Sequence, residues 1–399
     1  MQQQQRSQTT WLGVLLLSSG HLAVDFFGTI LSPALPAISQ RMGLSLAMAG
    51  MALSIPSTIG AFMQPVAGMI LDALGSRLSL VYLAVAWSAV FTSLIGIAPN
   101  FVILVTVATL GSLSISTYHP LGAVLINQQT REHRSLAMSI YSAAGTLGTA
   151  ISPALVFPLT RLYGPPILTL LIIPGLLFSG ALALSRKRWA LPNIQVARKE
   201  RFSWNQLANV LRPVMTLNIV SALRAWAHMA IVAYMAFYLP ERGFSDWATG
   251  AAISLHIVTG ALACIPAGLL ADRVGIRSVF AGCLMLAGLF TAGIVLFDSW
   301  LLLWVCIILS GTFIHATFPL AIVLSQDLLP DHQGLAAGLS MGFSFGLGAL
   351  ALPLTGLVGD VYGLAWTFLG SALILLLSAM LVPSIRQAAK KDIGLETIR

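Results

Sequence analysis

Two charged side chains lie within stretches of the chain that are otherwise apolar. Asp25 is in an apolar stretch near the N-terminus, and Arg224 is in another in the second half. An ionisable residue inside a hydrophobic segment is costly and therefore indicates a function. A carboxylate can take up and release a proton. An arginine keeps its charge, so it suits an anionic substrate group or neutralises an acid.

Histidines accompany both charges at helical spacing. His21 lies four residues before Asp25 and His228 four residues after Arg224, so each pair shares one helix face. His119 lies in a third apolar stretch, before a proline. For His21 and His119 a role in proton relay or substrate binding and a purely structural role are both open. We predict proton coupling at Asp25 and His21, and substrate binding at Arg224, His119 and His228.

Other polar and aromatic residues give weaker signals. His256 and His315 are interpreted as structural, and the three cysteines as buried single side chains. No His-Glu-x-x-His pattern is present, so we expect no metal site. No phosphate-binding Gly-x-x-x-x-Gly-Lys-Ser/Thr loop occurs, so we expect neither ATP nor another cofactor. Aromatic residues near the polar positions could line a ligand site or serve packing alone; among them we predict substrate contacts for Tyr118, Trp226 and Phe345.

The composition indicates the kind of element that must carry these residues. Of the 399 residues, 57% are hydrophobic and only 9% are charged, and the mean hydropathy is +0.88. Soluble domains carry about 25% charged residues. These values exclude a soluble enzyme, a disordered chain and a nucleic-acid-binding domain, despite the net charge of +8. We therefore predict an all-α membrane protein.

Breaks in hydrophobicity predict twelve transmembrane helices. A span needs about 20 mostly apolar residues, and the candidates are approximately 11–38, 44–71, 77–97, 101–126, 133–160, 165–185, 211–239, 247–271, 277–297, 300–326, 333–359 and 363–383. Pro33 and Pro36 are expected to bend or stop the first span. We predict an N-terminal six-helix bundle at 1–185, a cytoplasmic linker at 186–212, and a C-terminal six-helix bundle with a cytoplasmic tail at 213–399.

Basic residues predict the orientation. If the N-terminus is cytoplasmic, 17 Lys and Arg residues lie in cytoplasmic segments and 3 in the opposite loops. Such an excess is the positive-inside signal. We therefore expect both termini in the cytoplasm, a location in a bacterial inner membrane and no nucleic-acid partner.

The two halves of the chain repeat. Gly68, Asp72, Gly75 and Arg77 recur exactly 200 positions later as Gly268, Asp272, Gly275 and Arg277. Asp25 and Arg224 are 199 residues apart, close to the same offset. A parallel repeat of six spans is the organisation of major facilitator transporters. The Gly-x-x-x-Asp-x-x-Gly-x-Arg pattern resembles the signature loop of that superfamily, which implies two pseudo-symmetric six-helix bundles.

Within the superfamily the chain most resembles the fosmidomycin resistance protein family. The resemblance lies in Gly20-His21 to Asp25, Tyr118-His119-Pro120, Gly145 to Pro153, and Ser325 to Gly348. The chain departs from that family at two positions. The family has Asn-Asp where this chain has Val24-Asp25, and the family has an acidic residue after His-Pro where this chain has Leu121. These departures bear on the substrate more than on the fold.

The resemblance implies a gate and a central site. The gate would be a cytoplasmic latch formed by Asp72, Gly75, Arg77, Asp272, Gly275, Arg277 and Asp327. The alternative is that these loops are structural turns with no gating role. Spans 1 and 7 would line the central cavity, so Asp25 and Arg224 would face each other across the pseudo-two-fold axis. Three alternatives are open for Asp25 and Arg224. They would take part in proton coupling or substrate contact, form a static ion pair that holds the halves together, or never come into contact.

Taken together, these features predict a monomeric, proton-coupled secondary transporter in the lipid bilayer. It would export a small molecule, such as a drug or an anionic metabolite, by alternating access. A proton-coupled importer of a nutrient or metabolite on the same fold is the alternative. An intramembrane enzyme is disfavoured, because no nucleophile has a recognisable setting and His21 and Asp25 are one residue too close for an acyltransferase motif.

Overall fold

The computed structural model describes residues 11–74, 78–129, 134–185, 207–329 and 339–385. Within these ranges twelve helical segments are long and apolar enough to cross a membrane, which confirms the predicted number. The helices are α1 (Trp11–Gly28), α2 (Leu31–Met42), α3 (Leu46–Leu74), α4 (Ser79–Leu94), α5 (Phe101–Gln129), α6 (Arg134–Tyr163), α7 (Ile172–Ser185), α8 (Leu207–Glu241), α9 (Asp246–Val274), α10 (Ile276–Leu296), α11 (Trp300–Leu328), α12 (Ser344–Leu350), α13 (Leu352–Tyr362) and α14 (Leu364–Leu381). Helices α1 and α2 form the first span, and α12 and α13 the eleventh.

The first span is interrupted, as its prolines predicted. The break falls at Thr29 and Ile30, between α1 and α2. Pro33 has no N–H to donate to the carbonyl of Thr29 four residues earlier, so the helical ladder is weakened there. The Thr29 hydroxyl donates to the Asp25 carbonyl oxygen at 2.7 Å. The break therefore begins one turn after Asp25.

Close helix contacts within each half depend on glycine. We call the described residues up to 185 the N half and those from 207 the C half. In the N half α1 packs on α6, and in the C half α9 packs on α11. A Cβ added at Gly148 would lie 2.1 Å from the Leu22 carbonyl oxygen, and one at Gly311 would lie 2.0 Å from that of His256. Only glycine allows these backbones to approach so closely.

Within the described residues, four helix pairs make the main contacts between the halves. Helix α6 packs on α9, α3 on α12 and α13, and α2 on α8. Glycine is again required, because a Cβ at Gly356 of α13 would lie 2.2 Å from the Leu46 carbonyl oxygen of α3. The segment at 186–206, most of the predicted linker, lies outside the described residues, and α8 begins at Leu207, before the linker's predicted end. The division into bundles stays a prediction.

Candidate functional site

The structure brings Asp25, His21 and His119 together in the N half. The Nε2 atom of His119, from α5, lies 2.9 Å from Asp25 Oδ1. The Nε2 atom of His21, one turn earlier on α1, lies 3.2 Å from Asp25 Oδ2. The side chains of His21 and Asp25 are 10% and 14% exposed, whereas that of His119 is 35% exposed. We call these residues the triad, and His119 is its most accessible member.

A backbone carbonyl determines which nitrogen of His21 carries hydrogen. His21 Nδ1 lies 2.8 Å from the Tyr141 carbonyl oxygen of α6. A carbonyl only accepts, so Nδ1 must donate, and a neutral imidazole then has a lone pair at Nε2. That lone pair would face a carboxylate oxygen of Asp25 at 3.2 Å. The contact is favourable when His21 or Asp25 holds an additional proton, so this geometry favours one proton shared by the pair.

Small residues make room for the triad. A Cβ at Gly145 of α6 would lie 2.6 Å from Asp25 Oδ2 and 2.4 Å from His21 Cε1. Tyr141 stacks on His21 from the same helix, with ring centroids 4.0 Å apart. Tyr118 is fully buried, and its hydroxyl donates to the Leu17 carbonyl at 2.7 Å. Tyr118, a predicted substrate contact, therefore joins α5 to α1 in this conformation.

The triad could geometrically hold a metal ion. One ligand atom from each residue lies within 4.8 Å of the others. The hydrogen bond between His119 and Asp25, however, uses the His119 nitrogen that would have to bind the ion. A metal ion would also displace the proton that the His21 contact accommodates. We therefore assign no metal ligands here, and the expectation of no metal site stays a prediction.

In the C half, Arg224 has aromatic neighbours rather than an acid. Its guanidinium carbon lies 5.5 Å from the ring centroid of Phe318 in α11 and 5.2 Å from that of Phe345 in α12. The residue is 2% exposed, and its Nε has no hydrogen-bond partner among the described residues. Aromatic rings stabilise the cation but leave its N–H groups for another acceptor. This arrangement could bind an anion.

Asp25 and Arg224 form no ion pair in this structure. The ion pairs of Asp25 within the described residues are those with His21 and His119, which occupy both carboxylate oxygens. The guanidinium of Arg224 lies against Phe318 and Phe345 instead. The interpretation of a static ion pair that holds the halves together is therefore wrong.

His228 is joined by two histidines that the sequence pattern did not single out. The ring centroids of His228 and His315 are 4.4 Å apart, and those of His256 and His315 are 5.9 Å apart. These residues, which we call the histidine cluster, come from α8, α9 and α11. Six of the seven histidines lie in predicted spans, and that concentration was the available signal. The structural interpretation of His256 and His315 stays a prediction.

The remaining predicted substrate contact, Trp226, makes a polar contact within the C half. Its indole Nε1 donates to the Thr355 hydroxyl at 2.7 Å, which joins α8 to α13. Trp226 is partly buried and lies two residues from Arg224. Its N–H is thus already paired in this conformation, and a ligand would contact the ring.

The repeat places equivalent residues in contact in both halves. Asp25 corresponds to Arg224 and His119 to Phe318, each at an offset of 199. Asp25 contacts His119 in one half, and Arg224 contacts Phe318 in the other. The same pair of positions therefore holds a proton-binding contact on one side and a cation–aromatic contact on the other.

The predicted cytoplasmic latch is described in part. Gly75, Arg77 and the side chain of Asp72 lie outside the described residues. Gly275 has φ +93°, a conformation that favours glycine, and separates α9 from α10. Asp272 and Asp327 are exposed, and Asp327 has no ion pair with the described arginines in this conformation. Arg277 lies at the start of α10. A latch would form in another conformation and stays a prediction.

Two repeat-related contacts close the face of the molecule opposite the predicted cytoplasmic latch. We call this the distal face; its turns include those around Gly43, Gly164 and Gly243. Asp360 of α13 accepts hydrogen bonds from the Leu46 and Ala47 amides at the start of α3, at 2.7 and 2.9 Å. Arg161 of α6, the repeat equivalent of Asp360, lies 3.5 Å from Asp246 at the start of α9. Both contacts join one half to the other.

Comparison with known proteins supports the same picture across nearly the whole chain. The model of the Major Facilitator Superfamily matches residues 17–265 and 248–396. An uncharacterized MFS-type transporter, YfnC of Bacillus subtilis, is 26% identical over 96% of this chain and 95% of its own length. The fosmidomycin resistance protein of Escherichia coli is 24% identical over 88% of this chain and 87% of its own length.

Solved structures share the fold. A bacterial homolog of the human lysosomal transporter Spinster, in an inward-facing and occupied conformation, superposes with a TM-score of 0.79 at 14% identity, over 94% of this chain and 97% of the other. A mutant of the nucleoside transporter NupG superposes with a TM-score of 0.75 at 15% identity, over 94% of this chain and all of the other. At such identities the likeness concerns the fold.

Proposed function

Because the chain belongs to the Major Facilitator Superfamily, we propose that it is a proton-coupled secondary transporter that exports a small molecule by alternating access. The substrate would be a drug or an anionic metabolite similar to fosmidomycin. The observation that carries the proposal is the triad, since the Tyr141 carbonyl orients His21 so that its contact with Asp25 favours a bound proton.

The proton would reach the triad through His119. This residue is the most exposed of the three and hydrogen-bonds to Asp25. Histidine can accept a proton on one nitrogen while it donates from the other, so it suits a relay. Proton binding in one conformation and release in the other would couple the proton gradient to transport.

The substrate would bind in the C half at Arg224. The guanidinium is buried and keeps its charge, and its Nε–H has no partner in the part of the chain that the structure describes. An anionic group would satisfy this donor, and a charge-assisted hydrogen bond is among the stronger polar contacts. The similarity to a fosmidomycin resistance protein supports an antibiotic or a related anion as the substrate.

Alternating access would require the distal face to open. The contacts of Asp360 and Arg161 would break in that step, while the signature loops would close the other face. The excess of basic residues supports cytoplasmic termini in a bacterial inner membrane, with the distal face outward. We propose that the transporter works as a monomer, since each chain contains both the triad and Arg224.

Fosmidomycin transport in proteoliposomes tests this function. With a pH gradient imposed, the wild type should move fosmidomycin against the proton flow, and Asp25→Asn should not. Asp298→Asn is the control, because Asp298 is an exposed distal carboxylate outside the triad. Equal gradient-driven transport by Asp25→Asn and wild type would contradict the coupling assignment. Transport in the same direction as the protons would favour the importer.

A further inference from the structure

We infer that the histidine cluster of the C half, His228, His256 and His315, binds a hydrogen-bond donor of the substrate. The inference rests on the proposed function and narrows its substrate class. The molecule would be a small anion that also carries a hydroxyl, amide or amine group about one helical turn away from its negative charge.

The tautomer of His256 is the first step. His256 is fully buried, and its Nδ1 lies 3.0 Å from the Ile307 carbonyl oxygen. Since a carbonyl only accepts, Nδ1 carries the hydrogen and Nε2 presents a lone pair. That Nε2 is buried and has no partner among the described residues. A buried acceptor left in this way is destabilising unless a donor reaches it.

The neighbouring rings repeat this feature. The Nδ1 atoms of His228 and His315 are also buried without hydrogen-bond partners in the described part of the chain. The rings of His228 and His315 meet edge to face, with centroids 4.4 Å apart, and do not hydrogen-bond to each other. Each of these three neighbouring imidazoles therefore has one buried nitrogen without a partner in the described part of the chain.

The packing holds these rings in place. A Cβ at Gly260 of α9 would lie 2.5 Å from both Cβ and Cγ of His315 in α11. Gly311 lies against the backbone of His256 in the same way. The close approach of α9 and α11 thus brings the rings of His256 and His315 near each other. Such a precise arrangement of unpaired polar groups points to a ligand.

The cluster continues directly from Arg224. His228 lies one helical turn after Arg224 on α8, which corresponds to about 5–6 Å along the axis. Phe318, which contacts Arg224, lies three residues after His315 on α11. Arg224 offers hydrogen to an acceptor, and His256 offers a lone pair to a donor. Together they select a molecule with an anion at one end and a donor at the other.

A matched pair of phosphonates tests this selection. The probes are 3-hydroxypropylphosphonate and butylphosphonate, which have the same chain length but end in a hydroxyl and a methyl group. Binding to purified protein is measured by isothermal titration calorimetry at one fixed pH, with no proton gradient. We expect wild type to bind the hydroxyl compound about tenfold more tightly, because one buried hydrogen bond is gained.

Two variants locate the effect. His256→Phe preserves ring volume, removes the acceptor and should reduce the tenfold preference to about one, and His315→Phe, which removes a neighbouring ring, should reduce it in part. Phe313→Leu is the control, because Phe313 is on the same helix as His315 but stacks on Phe290. It should keep the preference. Size-exclusion chromatography and thermal unfolding show that each variant is folded, and either folded histidine variant suffices for the test.

The outcomes separate the two proposals. A wild-type preference of about one, no binding of either phosphonate, or a preference unchanged in the folded histidine variants would overturn this inference. Because no gradient is used, the result does not depend on coupling. Failure of gradient-driven transport with the preference intact would defeat only the proton-coupled function, whereas intact transport with no preference would defeat only the recognition of a donor.

Discussion

The two halves place different chemistry at equivalent positions. Asp25 and His119 in the N half form a hydrogen bond, and their equivalents Arg224 and Phe318 in the C half form a cation–aromatic contact. The contact between the equivalent helices, α1 with α5 and α8 with α11, is kept, whereas its chemistry differs: a proton-binding contact in the N half and a cation–aromatic contact in the C half. A repeated fold can thus assign the driving ion to one half and the substrate to the other.

The triad and the C-half site differ in how their charged and imidazole groups are paired. In the triad both oxygens of Asp25 have partners, and His21 Nδ1 donates to a carbonyl. In the C half, Arg224 Nε and one nitrogen of each cluster histidine have no partner among the described residues. A paired network suits a proton that moves between groups of the protein. Unpaired buried groups suit a ligand that supplies the missing partners.

The largest effects should come from substituting Asp25 in one half and Arg224 in the other and comparing transport with binding. Asp25→Asn should lower gradient-driven fosmidomycin transport by at least about 100-fold, because the proton acceptor is lost, and should leave binding within a few-fold of wild type. Arg224→Ala should weaken binding by about 10- to 100-fold, because a charged hydrogen bond is lost. Calorimetry and proteoliposome flux measure the two effects separately.

Arg224→Lys is the matched control for charge, and should restore part of the affinity. The comparison between the halves would be broken if Asp25→Asn weakened fosmidomycin binding as much as Arg224→Ala does. Such a result would place the substrate on the triad.

A smaller and more local effect is expected from two glycines. Gly145→Ala should displace Asp25 and His21, and Gly260→Ala should displace His315, because the added Cβ atoms overlap these side chains. Overpacking should destabilise each protein by about 1–3 kcal/mol. We expect Gly145→Ala to reduce coupled transport and Gly260→Ala to reduce binding, each by about tenfold in the folded fraction.

Thermal unfolding and the two functional assays measure these glycine effects. Gly180→Ala is the control, since nothing lies within 4 Å of its added Cβ; it should behave like wild type. Identical functional losses in Gly145→Ala and Gly260→Ala would show that the halves do not divide the work.

The smallest effect should come from the distal contacts. Asp360→Asn removes a negative charge from the start of α3 and should shift the equilibrium toward a distally open state by about twofold to fivefold. Arg161→Gln should shift it less, because the Arg161–Asp246 pair is longer and about one-third exposed. The two substitutions therefore compare how strongly each of these contacts holds the distal face closed.

Pulsed electron paramagnetic resonance measures that shift. Spin labels at Pro99→Cys and Ser299→Cys, with the three native cysteines replaced, report the distance between the two halves at the distal face. A population of long distances that is no larger in Asp360→Asn than in the parent would show that Asp360 does not hold this face closed.

Sequence reasoning predicted the elements better than their mutual contacts. The number of spans and the break near Pro33 followed from hydropathy and proline chemistry, which act locally. The offset of 199 identified Asp25 and Arg224 as equivalent positions, but it did not determine where either side chain points. The pairing of Asp25 with His119 depends on how α1 and α5 are rotated and packed, and Gly145 contributes to that packing. Such contacts between distant residues are not encoded in spacing.

The histidine cluster illustrates the same limit. His228 was recognised because it lies one turn from Arg224 on the same helix. His256 and His315 belong to other helices and have no sequence spacing that relates them to His228. Their grouping depends on the close approach of α9 and α11 at Gly260 and Gly311, which becomes evident only in three dimensions.

Proton release on substrate binding tests the central claim most directly. Fosmidomycin is added to weakly buffered, purified protein, and the pH change is followed with an indicator dye. If protons occupy the triad and substrate binding favours their release, the wild type should release about one proton per bound fosmidomycin and Asp25→Asn almost none, at full occupancy of both. Equal proton release by the two proteins would contradict the assignment of the proton to the triad.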